Sequence, residues 1–291
     1  MMRMVTLASS IGFLVVLLLA CSTPAFAQVD FSGPWATRQH EDSLERGGGP
    51  EIGEYEGIPI NDADRARGEA WTASLWTVPE HQCIPHPSDY GPSFSNLRMW
   101  KDTDPVTNEV TAWHTQMAWM TPMRTIWMDG RPHPPEYAAH TWQGFSTGLW
   151  EGDMLTVTTT HLKPAYLRRN GLARSEKATV REHFIRNGNI LTWITIVTDP
   201  VYLTEPHIRS RNFVWDPGYT MPAYPCSVEV EVVRPEGVIP HYLPGTNPDL
   251  KEWAEKHRLP MEAATGGAET MYPEFMQKLK TLPSVPKGSS R

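Results

Sequence analysis

From Asn96 to about Val233 the chain breaks into short runs of β-branched and aromatic residues separated by turn residues, and no stretch there repeats apolar side chains with a helical period. That pattern disfavours alternating strand–helix architectures and leaves an antiparallel meander of short strands. The candidate strands are Val110–Met117, Arg124–Met128, Leu155–His161, Ala178–Arg186, Ile190–Thr198, Ile208–Trp215 and Cys226–Val233. Asn187-Gly188-Asn189 joins two of them and is a strong hairpin signal, because a tight reversal needs residues that tolerate positive φ. Asp129-Gly130 and Glu151-Gly152-Asp153 read as two more such turns. The expected fold is mainly β, an antiparallel barrel with a β-sandwich as the alternative, carrying long loops. Asn61 or Asp62 can cap a short helix, Asn247-Pro248 opens another over Asp249–His257, and Glu269–Thr281 reads as a third.

Residues 1–27 read as a signal peptide: Arg3, an apolar Ile11–Ala20 run, and a small-residue cleavage site at Ala25-Phe26-Ala27. Lipidation at Cys21 is the alternative processing, though Leu19 fits that pattern poorly. The apolar run falls short of the ~18–20 residues that a membrane span needs, and no later stretch is longer, so no transmembrane segment is expected. Residues 28–245 are expected to form the β domain with its N-terminal loop region, and 246–291 a helical extension with a polar tail. The expected location is periplasmic or secreted. A formal charge of −7 disfavours nucleic acid and anionic membrane surfaces as partners. Cys83 and Cys226 are the two cysteines beyond the leader, and in an exported chain they are expected to pair.

The three prolines of Arg131-Pro132-His133-Pro134-Pro135 forbid helix or central strand and make this an exposed loop. Arg131, His133 and His140 would then stand at the rim of a barrel, with Trp142 and Trp150 near its mouth. Most of the twelve Trp must be core, yet a barrel lined by several of them suits a flat apolar or aromatic ligand. Strand alternation puts Val180, Glu182 and Phe184 on one face and Leu155, Val157, Thr159 and His161 on another. An inward Glu182 must be paired, most simply by an Arg or Tyr, or neutralised. A Glu182–His161 hydrogen bond inside a cavity would instead make an acid–base pair. The same alternation turns Cys226, Val228, Val230 and Val232 toward the core.

No metal is expected, because His81-x-Cys83-x-x-His86 is proline-broken and its cysteine has a better partner, and no i,i+2 His pair occurs on a strand. No cofactor is expected either: a Gly-rich nucleotide loop in strand–helix context and a Gly-x-Ser-x-Gly elbow are both lacking.

Asp30–Trp35, Cys83-Ile84-Pro85, Asp129–Pro134, Gly148–Val157, Glu182-His183-Phe184 and Thr195–Pro200 together resemble the shared pattern of a family of secreted bacterial proteins without an assigned activity. The likeness extends to about Val233 and implies secretion and a β fold, with no catalytic residues. Gly33-x-Trp35 is also similar to the signature ahead of the first strand in lipocalin-like barrels, where the Trp plugs the closed end.

Three functional readings follow. The first is binding of a small apolar or aromatic molecule in the barrel. The second is a cofactor-free isomerase, lyase or hydratase using His161 and Glu182. The third is a surface-assembly role without a small ligand.

Overall fold

Gly152 has φ +64° and Gly188 has φ +59°, so both reversals marked by glycine in the sequence are two-residue hairpins, closed by the pairs Glu151↔Met154 and Asn187↔Ile190. They belong to a computed structural model that describes residues 29–38, 51–55, 57–91 and 95–283. The expected leader with Cys21, part of the polar loop before Trp71 and the final eight residues lie outside the described residues.

Eleven strands are formed among the described residues. In chain order they are β1 (Gly33–Thr37), β2 (Leu97–Thr103), β3 (Val110–Met117), β4 (Met123–Trp127), β5 (Phe145–Glu151), β6 (Met154–Thr160), β7 (Ala165–Tyr166), β8 (Ala173–Arg174), β9 (Thr179–Asn187), β10 (Ile190–Thr198) and β11 (His207–Trp215). Nine close a barrel in the order β1-β11-β10-β9-β6-β5-β4-β3-β2, while β7 and β8 make a small hairpin of their own. The β1 strand seals it, pairing with β11 at Trp35↔Trp215 and with β2 at Trp35↔Leu97. Every pair is antiparallel except β4–β5, which is parallel at Ile126↔Ser146 and Trp127↔Thr147. The fold is thus the expected lipocalin-like barrel, mostly meander, with one parallel seam.

That seam corrects the reading of Asp129-Gly130 as a hairpin. A parallel neighbour requires the chain to cross back along the whole barrel, and residues 128–144 make that crossing over the outside of the wall. Pro132, Pro134 and Pro135 suit an unladdered path. Cys226–Val233 is also not a strand: Val228, Val230 and Val232 are exposed. Both edges of β11 are already occupied, so the closed barrel offers this segment no ladder. Instead Gln82 stands in for a strand, its amide nitrogen donating to the Glu229 carbonyl at 3.0 Å and its oxygen accepting from Glu229 N at 2.7 Å.

Alternation fills the barrel. Trp35, Trp113, Phe184, Trp193 and Phe213 are all buried inside, and Phe31 packs across the end against Trp113 and Trp150. Arg186 lies over the Trp35 ring at 5.2 Å. The other end is polar within: Arg124, Ser146, Thr159 and Glu182 are buried there.

The helices are α1 (Asp62–Ala70), α2 (Glu252–His257), α3 (Met261–Ala264) and α4 (Pro273–Leu279). Asn61 caps α1 by accepting from Asp64 N, and Asn247 caps the short turn leading into α2, as their sequence signals predict. No helix among the described residues is long and apolar enough to cross a membrane.

Candidate functional site

The loops that leave the barrel at the polar end surround a cavity of about 480 Å³ that no barrel strand lines. Its walls come from α1 and the turns after it, the Cys83 loop, the β3–β4 turn, the β7–β8 hairpin and the segment around Tyr224. The hairpin is held in place from several sides. Asp64 accepts from Ala173 N at 2.7 Å, Asn170 donates to the carbonyls of Glu51 and Glu54, and Arg168 pairs with Glu54 at 2.5 Å. Gly171, at φ +105°, lets the hairpin approach the Trp71 side chain and Gly68 too closely for any Cβ.

Six large rings face this space: Trp71, Trp76, Trp119, Trp142, Tyr166 and Tyr224. They brace one another, Trp76 edge-on to Tyr166 at 5.7 Å and Trp119 tilted on Tyr224 at 5.1 Å. His86 stacks on Trp119 at 5.7 Å, and its Nδ1 lies 2.6 Å from the Tyr166 hydroxyl. Burial, reinforced by the nearby Arg169 charge, lowers the His86 imidazole to about 4, so it is neutral at pH 7. Burial also holds the Tyr166 phenol well above its ordinary range. Arg169 lies over the Trp76 ring at 4.3 Å, and its buried Nε has no hydrogen-bond partner. Glu229 and Glu231 border the cavity from the opposite segment, and the Cys83–Cys226 disulfide forms part of the wall.

The residues nominated from sequence are distributed differently. Trp142 lines the cavity. Trp150 does not; it stacks on Phe31 at 5.7 Å and closes the apolar end. Arg131 grips Asp129 through Nε at 2.9 Å and lies 3.6 Å above the Trp127 ring, folding the crossing loop onto itself. His133 pins that loop to the wall: Nδ1 is 2.7 Å from the Thr160 hydroxyl and Nε2 is 2.9 Å from that of Thr147. The same Thr160 hydroxyl lies 2.7 Å from His161 Nδ1, while His161 Nε2 lies 3.0 Å from the Pro135 carbonyl. His140 stacks on His161 at 5.2 Å.

His161 leaves the inward face because it lies just past β6 with φ +57°, where strand alternation stops. Glu182 does point inward and is fully buried, but its carboxylate accepts from Arg124 Nη1 at 2.8 Å, Trp193 Nε1 at 3.0 Å and Thr159 Oγ1 at 3.3 Å. Burial pushes this carboxyl up against the opposing pull of Arg124 and of those hydrogen bonds. The expected His161–Glu182 hydrogen bond is not formed, because the two side chains have separate partners. Cys83 and Cys226 are bonded to each other, 143 residues apart in sequence.

No protein-family model, curated protein or solved structure matches this chain. The cavity residues that sequence reasoning missed are Trp71, Trp76, His86, Trp119, Tyr166, Arg169 and Tyr224. The signal that points to them is the cysteine pair itself, which ties a Trp- and His-bearing loop to the Tyr224 segment.

Proposed function

We propose that the protein is an exported binding protein that takes a flat aromatic or apolar small molecule in the cavity at the loop end of its barrel. The observation that carries this reading is the ring of six indoles and phenols around about 480 Å³, a volume within the usual range for small-ligand sites. Flat faces on several sides favour stacking over hydrogen-bonded recognition. The Arg169 guanidinium, which lies over the Trp76 ring in the cavity lining, favours a ligand whose ring bears an acidic substituent. Export is supported by the leader-like N-terminus and by the disulfide, which oxidising compartments sustain.

The test is a titration of intrinsic Trp fluorescence against planar aromatic acids, neutral aromatics, aliphatic compounds and glycans. A planar aromatic is expected to quench or shift the emission. Trp76→Ala and Trp119→Ala should each weaken it by roughly tenfold or more. Unchanged emission across the panel, or unchanged affinity in both variants, rejects the reading.

A further inference from the structure

The side chains that fasten the crossing loop to the barrel wall have a proton order that their acceptors dictate. His161 Nε2 lies 3.0 Å from the Pro135 carbonyl, which can only accept, so Nε2 carries a proton. In the neutral ring Nδ1 is then bare and accepts from the Thr160 hydroxyl, 2.7 Å away. Thr160 has one proton to give, so its oxygen accepts from His133 Nδ1–H, also at 2.7 Å. His133 Nε2 is left bare and accepts from the Thr147 hydroxyl at 2.9 Å. The two rings therefore meet on a single hydroxyl.

One added proton is absorbed without breaking this relay. On His133 it sits at Nε2, and the Thr147 hydroxyl turns to accept it. On His161 it sits at Nδ1, and the relay reverses: Thr160 donates to His133 Nδ1, and His133 donates from Nε2 to Thr147. A second proton has no such solution. Both Nδ1 atoms then donate to the one Thr160 oxygen, and two cations face each other across a single atom. His140 stacks on His161 at 5.2 Å, so a charge on it adds repulsion of the same sign. Neither ring has a carboxylate partner: Asp129 pairs with Arg131, and Glu136 is exposed to solvent. Lys163 lies over the Trp142 ring, and β5 presents Thr147 and Phe145, which carry no charge. Burial and the neighbouring His161 hold His133 below the ordinary histidine range, so its contribution is complete above about pH 6.5 and is lost as pH falls. We propose that His133, Thr160 and His161 form an acid-released latch on the crossing loop, which carries one imidazolium intact and lets the loop go when both rings are charged. The latch is independent of the outer cavity. The cavity end of the loop is held by other bonds, Thr141 N to the His161 carbonyl and Gln143 Nε2 to the His86 carbonyl.

Nuclear magnetic resonance of protein labelled with nitrogen-15 tests this on the full chain. At pH 8 the ring nitrogens should show His161 protonated at Nε2 and His133 at Nδ1. On acidification the second of the two rings should take its proton roughly tenfold more weakly than the first. The Ala138 amide donates to the same Pro135 carbonyl, and its exchange protection should fall with that second proton and not with the first. Thr160→Val removes the shared hydroxyl and should bring the two protonation steps several-fold closer together. Titration of both rings in one step, or Ala138 protection unchanged when both are charged, would overturn the latch. An unaltered separation of the steps in Thr160→Val would do the same. The tautomer and exchange measurements use the wild-type protein, so they decide the matter even where the valine variant misfolds.

Discussion

Asp64 sits in the first turn of α1 with its carboxyl buried; Oδ1 accepts from Ala173 N, and Oδ2 has no partner. Burial raises this carboxyl to about 7, with the Ala173 hydrogen bond and Arg67 opposing. The folded protein therefore holds the Asp64 proton more tightly than the unfolded chain does. This contribution to stability is complete below about pH 4 and is lost as pH rises to about 7. His86 and His207 act in the opposite sense. Burial lowers them to about 4 and about 3, so their contribution is complete above about pH 6.5 and is lost as pH falls below it. Asp64→Asn keeps the acceptor for Ala173 and removes the charge. The variant should be roughly 1–3 kcal/mol more stable than wild type at pH 8, with the advantage gone near pH 4. Urea unfolding at both pH values measures this, and an advantage independent of pH would show that the carboxyl is not the titrating group. Sequence reasoning did find the inward Glu182, because Val180, Glu182 and Phe184 alternate regularly. It misplaced His161, because one positive φ at a strand end reverses a side chain and leaves no trace in composition.

At the scale of elements, the hairpins were readable and the crossing was not. Glycine at a reversal is a local requirement, visible at Gly152 and Gly188. Whether Asp129-Gly130 turns back or carries on depends on residues met far along the chain, on Thr147 and Thr160, whose hydroxyls hold His133. The Asp129–Pro134 segment thus serves the fold, since Arg131 folds the loop on Trp127 and His133 fastens it to β5 and β6. His133→Phe keeps the ring against Phe145, 5.2 Å away, but leaves both threonine hydroxyls without this partner. A loss of roughly 1–3 kcal/mol in thermal or urea unfolding is expected. The seam has a second requirement. A Cβ on Gly148 would lie 2.6 Å from Met128 Sδ and 3.0 Å from Ile126 Cγ2, so any side chain there must push Met128 and Ile126 aside beside the parallel pair. Gly148→Ala should destabilise by roughly 1–3 kcal/mol. Hydrogen exchange should speed up first in Ile126 and Trp127, the residues that the seam protects; uniform exchange would place the damage elsewhere.

Across the whole molecule, the barrel and the cavity depend on different parts of the chain. The barrel is sealed by β1 between β11 and β2, a closure of backbone hydrogen bonds that involves neither cysteine. The cavity is built from loops distant in sequence, and its Tyr224 wall belongs to a segment with no strand pairing to hold it. What fixes that wall is the Cys83–Cys226 bridge together with the Gln82–Glu229 amide pair. This division explains why the fold was legible and the site was not. Strand pattern specifies the barrel residue by residue, whereas a loop cavity follows from which loops are tied together, and only the cysteine count hints at that. Replacing both cysteines by serine should therefore separate the two. A bridge spanning 143 residues stabilises by roughly 4–5 kcal/mol in the chain-entropy account, so the urea midpoint should fall accordingly. Below that midpoint the far-ultraviolet spectrum of the barrel should persist. The cavity should lose its wall, seen as redder Trp emission as Trp119 gains water and as loss of any aromatic ligand's quenching. If binding survives in the double-serine protein, the amide pair alone is enough to seat the Tyr224 segment. If the β spectrum is lost as well, the barrel needs the bridge to stay closed.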